Sequence, residues 1–325
     1  MSHGIINKPF RFQVAWASHQ QIEEVIRTNW SSSNRLVPKL HSLASALSLW
    51  NKESFGNLFQ RKRKLWARIE GVQRRLAAGA PQYLLKLERR LRRELDLTLD
   101  QLTLMWMQQA RVDQIRDGDR NTKYYHMSTI IRQRFNRVNA IKDAENRWCS
   151  NPSRIKQMVV DHFRSLLSEE GTLSSATGLD GPGFPLISRR HLQALEEPFT
   201  RQDILVALEG MQPLKAPGPD GFHAYFFSRY WHIVEEDVCN TVLQVLRGQP
   251  MPRGLNDTFI TLIPKVPNPD KVTQFRPIGL CNVTYKLVTK CIVNRLRQVL
   301  PQLISPAQSS SVSYTHLTLP TNREV

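Results

Sequence analysis

The stretch PLKAPGPDGF, residues 213–222, sets the tightest limit on how this chain can fold. Three prolines and two glycines rule out a helix interior and a central strand. Proline lacks the backbone donor, and glycine adopts backbone angles closed to other residues. Apolar, helix-like sequence resumes at once, so these residues form a stiff, shaped loop inside a folded domain. The loop carries one lysine, Lys215, and one aspartate, Asp220.

Helical spacing dominates the sequence before the loop. Aromatic anchors at Phe10, Phe12, Trp16 and Trp30 flank a short helical pattern around Ile22, Val25 and Ile26. From 40 to 78 the periodicity is clearly helical, with Leu65, Ile69, Val72 and Leu76 on one stripe and Arg61, Lys64, Arg68 and Arg75 on another face. Gly79, Ala80 and Pro81 interrupt it. A second helix follows, apolar along Leu84, Leu87, Leu91 and Leu95 and basic along Lys86, Arg89, Arg90 and Arg93. Two such helices in series predict a helical hairpin.

Charge sharpens that reading. The chain has 325 residues, 45 Lys and Arg against 28 Asp and Glu, a net charge of +17 and a pI near 10.1. An excess of this size points to a polyanionic partner, nucleic acid before membrane, the alternative being a basic protein with no such partner. Between residues 61 and 93 only Glu70 and Glu88 break a run rich in Lys and Arg. Like charges at helical spacing repel by a few tenths of a kcal/mol per pair. A phosphate backbone would relieve that repulsion; an ordinary solvated face is the other reading.

Residues 111–121 bring Asp117, Asp119 and Asn121 into a calcium-loop spacing, but Thr122 stands where the loop needs glycine and Ser128 where it needs glutamate. Calcium is rejected. A short hairpin is predicted around Arg137–Trp148 and a helix over Pro152–Leu167. Residues 169–187 are rich in Gly, Ser and Pro and read as a linker. Thr200 with Asp203 caps the next helix, and Phe226–Leu246 forms another, with Val234, Val238, Val242 and Val245 on one stripe. Phe259–Ile263 is a strand that stops at Pro264; PNPD at 267–270 is turn chemistry, and a return strand follows. Asn282 caps a last helix carrying Tyr285, Val288, Ile292 and Leu296.

Cys149, Cys239, Cys281 and Cys291 lack metal-ligand spacing and read as buried thiols of an intracellular protein. Neither a signal peptide nor a membrane span is legible, and the expectation is a soluble, intracellular chain without a membrane partner. The strand–turn–strand segment brings Lys265 and Arg276 within reach of one ligand. A compact ammonium beside a planar guanidinium suits a polyphosphate. Each contact at about 4 Å is worth roughly 4 kcal/mol before desolvation. Two solvated charges on a surface hairpin are the alternative.

LKAPGPDGF, NDTFITLIPK and FRPIGLCNVTYKLVTKCIVNRLR occur in order within 203–309. Together they resemble the opening motifs of the reverse transcriptase of LINE-type, non-LTR retrotransposons, especially those of plants. GDRNTKYYH and RQRFNRVNAI are similar to the segment before the polymerase in those elements, and KPFRFQVAW to the sequence after their endonuclease. The resemblance covers roughly 8–30 and 110–309. It implies an α+β fold, in which a basic helical N-terminal region precedes the fingers part of an incomplete right-hand polymerase. The expected divisions are a basic helical linker region (1–110), a pre-polymerase segment (111–168), a linker (169–198), the fingers part (199–310) and a non-native tail (311–325).

By motif position the resemblance assigns Lys265 and Arg276 to the incoming nucleotide and Lys215, Asp220 and Gly221 to a loop shaping the template channel. Asp220 would act as a turn acceptor, not a catalytic acid. RNA template, DNA primer and deoxynucleoside triphosphates are the implied partners, in nucleus and cytoplasm. Magnesium is the implied cofactor, yet no Asp-Asp dipeptide occurs and Glu235-Glu236-Asp237 falls in a helix, where successive side chains diverge. Gly279 stands where the family more often has Ser. The similarity ends at SPAQSS, before the palm motifs, and SVSYTHLTLPTNREV (311–325) does not continue the pattern. The expectation is thus a fingers-side fragment, inactive alone. The alternative is a non-catalytic nucleic-acid-binding module using the basic helices.

Overall fold

The computed structural model describes residues 9–30, 35–79, 81–110, 122–168 and 187–304. Residues 169–186 of the expected linker, the calcium-like stretch at 111–121 and the tail at 311–325 lie outside the described residues.

Four helices open the fold: α1 (Ile22–Trp30), α2 (Leu36–Trp50), α3 (Leu58–Ala77) and α4 (Tyr83–Ala110). Asn57 starts α3 by accepting hydrogen bonds from the Phe59 and Gln60 amides at 2.9 and 3.1 Å. Arg74 and Arg75 occupy its last turn, where cations offset the helix dipole. Gly79 then takes φ +80°, the left-handed conformation that turns the chain back into α4. The predicted hairpin forms around Leu65, Ile69, Val72, Leu84, Leu91 and Leu95, all buried.

Next come α5 (Thr122–Phe135), strands β1 (Ile141–Lys142) and β2 (Trp148–Cys149), and α6 (Pro152–Leu167). β1 and β2 pair antiparallel, Ile141 opposite Cys149. Asn151 caps α6, with proline in its first turn, where the missing amide costs nothing. A further helix, α7 (Arg189–Glu196), lies inside the stretch expected to be linker, its N-terminus capped by Ser188. The Ser-x-x-His start was hidden by the Gly- and Pro-rich sequence ahead of it.

α8 (Arg201–Glu209) opens with the expected capping box, Thr200 and Asp203 each bonding the other's backbone. The predicted helix from Phe226 is two pieces, α9 (Ala224–Arg229) and α10 (Trp231–Leu246), broken at Tyr230. β3 (Thr258–Pro264) and β4 (Phe275–Cys281) form the second antiparallel hairpin, with Asn268 at φ +51° in its turn. α11 (Val283–Leu296) and α12 (Leu300–Leu303) complete the described chain. The buried face of α11 differs from the expected one. Thr284, Leu287, Val288 and Cys291 are inside, while Ile292 and Leu296 are each 40% exposed. The helix is apolar on two sides, and packing against α8 and α10 selects one of them.

The main core joins the segment from Phe12 through α2 to α8–α11. Phe12 and Trp16, with α1 and α2, pack against Ile204, Phe222, Phe226, Val234, Val238 and Leu287. Ring centroids of Phe12 and Phe226 lie 5.2 Å apart, and those of Phe222 and Phe226 4.5 Å. Texture changes near residue 110, but the core draws on residues from both sides of it. Asp237 reinforces the joint, accepting from Trp30 Nε1 at 2.8 Å and pairing with Lys39 Nζ at 2.7 Å. A smaller core of Ile141, Cys149, Ile155 and Phe275 seats β1, β2 and α6 on the β3–β4 hairpin. Lys142 adds an ion pair to Asp270 at 2.9 Å.

Candidate phosphate-binding surface

The PLKAPGPDGF loop is clamped from two directions. At Gly221, φ is +79° and a Cβ would lie 2.2 Å from the Phe10 carbonyl oxygen. Only glycine fits there. The Phe12 amide donates to Gly221 O at 3.0 Å, fixing the N-terminal segment across the loop. At Gly218 a Cβ would meet Asn282 Oδ1 at 2.3 Å. Asn282 holds the N-terminal position of α11, but its side chain does not cap that helix. It accepts the Asp220 amide at 3.1 Å and donates to the Gly254 and Leu255 carbonyls at 3.0 and 3.2 Å. The residue immediately after β4 therefore anchors the loop. Sequence spacing offered no signal for this, because Asn at a helix start reads as a cap.

Asp220 is buried and its Oδ1 accepts the Phe222 amide at 3.0 Å. Burial raises its pKa to about 7, against the opposing pull of the Phe222 amide and the Lys286 charge. Burial also lowers the pKa of Lys286. Lys215 stands on the exposed side of the same loop.

β3 and β4 settle the placement of the two hairpin cations. Ile263 is opposite Arg276, and the Lys265 amide donates to Gln274 O at 2.8 Å. Alternate residues share a face, so Lys265 and Arg276 emerge diagonally on one side. The other side carries Leu262 and Phe275 into the smaller core. Both cations are exposed. Lys265 Nζ donates to the Thr273 carbonyl at 2.8 Å, and Arg276 has no side-chain partner among the described residues.

The basic helices divide their charges unevenly. Lys64, Arg68, Arg75, Lys86 and Arg89 are exposed and carry no side-chain hydrogen bond or ion pair among the described residues. Arg90 pairs with Glu94 at 3.1 Å, and Arg93 Nε donates to Arg89 O at 3.3 Å. Arg61 does not belong to the open face. Its guanidinium donates to the Phe55 carbonyl and to Gln101 Oε1, and stacks over the Phe55 ring. Its position one turn before the stripe lets it reach across to α4. Here a cation pins two helices together.

No family model matches the chain. It is 25% identical over 203 residues to "Transposon TX1 uncharacterized 149 kDa protein" of Xenopus laevis, an alignment covering 62% of this chain. The chain is similar to a transposon-encoded protein. The match spans 16% of the length of that relative.

Among the described residues no three His, Cys, Asp or Glu side chains are grouped to hold a metal ion. Asp237, in the acidic run of α10, is engaged with Lys39 and Trp30. Among the described residues no carboxylate cluster fits the magnesium implied by the sequence resemblance. No described helix is long and apolar enough to cross a membrane.

Proposed function

We propose that this chain is the fingers-side, nucleic-acid-handling part of a retrotransposon RNA-directed DNA polymerase. In this reading it holds an RNA template and a DNA primer, and it presents Lys265 and Arg276 to the triphosphate of an incoming deoxynucleotide. The observation that carries the proposal is the β3–β4 register, which puts those two cations on one exposed face while the opposite face is packed. A lysine supplies a point charge and an arginine a bidentate fork, the pair that neutralises a polyphosphate. The clamped loop supports the same reading: Asn282 joins it to the end of β4, so loop and hairpin move together. Similarity to a transposon protein supports the biological setting.

Chemistry needs more than cations. Phosphoryl transfer requires carboxylates holding metal ions against the attacking and leaving oxygens. Lys265 and Arg276 cannot supply that, so this part binds but does not catalyse. A second reading, a binding module without nucleotide recognition, is favoured by the unpaired cations of α3 and α4.

A fluorescent deoxynucleoside triphosphate distinguishes the two. The fingers reading expects saturable binding that weakens roughly tenfold in Arg276→Gln, the loss of about 1.4 kcal/mol from one charge-assisted hydrogen bond. Equal binding by the variant would remove Arg276 from nucleotide recognition and leave the module reading. Primer extension with magnesium and all four nucleotides should match the blank, and incorporation by this chain would overturn the proposal.

A further inference from the structure

A second cationic feature lies on the other side of the PLKAPGPDGF loop. The loop, the C-terminal end of α8 and the flank of α11 enclose a cleft of about 470 Å³. Lys215 enters from the loop, and Lys286 and Lys290 enter from one face of α11, four residues apart and so stacked one turn above the other. Among the described residues no carboxylate lines the cleft. None of the three ammonium groups has a hydrogen bond or ion pair among the described residues. Met211, Val283 and Val293 form apolar walls beside them.

Three converging ammonium groups at the surface of a fold are unfavourable unless something offsets them. The protein supplies two partial offsets. The C-terminal end of α8 lies close: Lys290 Cε is 3.6 Å from the position a Cβ would take on Gly210. A helix end carries roughly half a negative charge. Asp220, buried in the loop, interacts with Lys286 and offsets its charge once ionised, above about pH 7. Together these fall short of three positive charges. Burial, and to a smaller degree the Lys215 charge, lowers the pKa of Lys286. An anion entering the cleft would meet all three lysines and, among the described residues, no acid.

We infer that this cleft seats the backbone phosphate of a single nucleic-acid strand, with Lys215, Lys286 and Lys290 as its ligands. The inference rests on the fingers-side reading and adds a strand site on residues it leaves unused, Lys286 and Lys290. Phosphate is the chemistry recognised. It could come from a strand or a free nucleotide; the fingers-side reading already gives the nucleotide to Lys265 and Arg276, which leaves the strand for this cleft. The apolar walls would cover sugar or base flanking the phosphate.

The test uses the full chain and a fluorescein-labelled single-stranded RNA, with affinity measured by anisotropy across a salt series. Lys215→Gln/Lys290→Gln is the main variant. Lys290→Arg keeps the charge, and melting temperature checks folding. Lys286 is left unchanged there because it is partly buried and interacts with the buried Asp220. Each phosphate released from a single strand lowers the log–log salt slope by about 0.7. The double variant should lose one such step and bind RNA about tenfold more weakly, with an unchanged melting temperature, while Lys290→Arg binds as the parent does.

Lysine acetylation read by mass spectrometry gives a second readout that does not depend on a variant folding. RNA should protect Lys215, Lys286 and Lys290, and deoxyadenosine triphosphate alone should not. Protection by the triphosphate and not by RNA would overturn the strand assignment. RNA binding at parental affinity and slope by the double variant, with the three lysines unprotected in the parent, would overturn the cleft and leave the fingers-side reading standing. Failure of the parent to bind any RNA, with no protection, would overturn both.

Discussion

Replacing Asp220 by Asn should stabilise the protein at neutral and alkaline pH and abolish a specific part of its pH dependence. The carboxyl is buried beneath the loop, and burial raises its pKa from 3.8 to about 7. An unfolded chain ionises this acid near 3.8, whereas the folded chain holds the proton until about 7. Within that window the native state binds more protons than the unfolded state, so stability falls as pH rises. About three pH units at roughly 1.4 kcal/mol each give a penalty of up to ~4 kcal/mol above pH 7. Asn retains the oxygen that accepts the Phe222 amide and removes the charge. Weakening that hydrogen bond costs about 1 kcal/mol. The variant should therefore gain roughly 2–3 kcal/mol at pH 8, an advantage gone by about pH 4. Urea unfolding at intervals from pH 4 to 8 measures this directly. Lys286 faces the same carboxyl, and Asp257 and His41 line the small cavity beside it. Only the part of the pH dependence that the variant loses belongs to Asp220. If Asp220→Asn destabilises at pH 8, or keeps the parental slope between pH 4 and 7, the buried carboxyl is ionised at little cost and the linkage reasoning fails.

Gly221→Ala combines a left-handed backbone with a Cβ 2.2 Å from the Phe10 carbonyl oxygen; a loss of at least about 2 kcal/mol in urea unfolding is expected. Phe12→Ala removes a fully buried ring from the joint between the N-terminal segment and α9, costing about 3–5 kcal/mol by the same measurement. Exchanging Lys64, Arg68, Arg75 and Arg89 for Gln should flatten the salt dependence of RNA binding by about 0.7 for each phosphate no longer neutralised, with no change in melting temperature, because those side chains pair with nothing described. Arg61→Gln should instead lower the melting temperature by several degrees, since its guanidinium ties Phe55 to Gln101.

Much of this molecule was legible in local sequence. Periodicity marked the α3–α4 hairpin and its two apolar stripes, capping chemistry marked α8, and turn residues marked the β3–β4 hairpin with Lys265 and Arg276 at its end. Each signal lies within one element, where 3.6- and 2-residue periods and cap residues act directly on the backbone. The excess of cations was equally plain, since composition alone carries it.

Tertiary structure decided the rest. Phe12 crosses to Gly221, and Asn282 reaches back to Asp220, pairings separated by hundreds or tens of residues with no local pattern to announce them. Packing chose which of two apolar faces α11 would bury, and that choice turned Lys286 and Lys290 toward Lys215. It also turned Arg61 inward to Phe55 while its sequence neighbours stayed in solvent. A helix period specifies a face but not the partner that covers it. Only the closed core, in which every buried side chain competes for the same volume, fixes which surfaces remain free to meet a ligand.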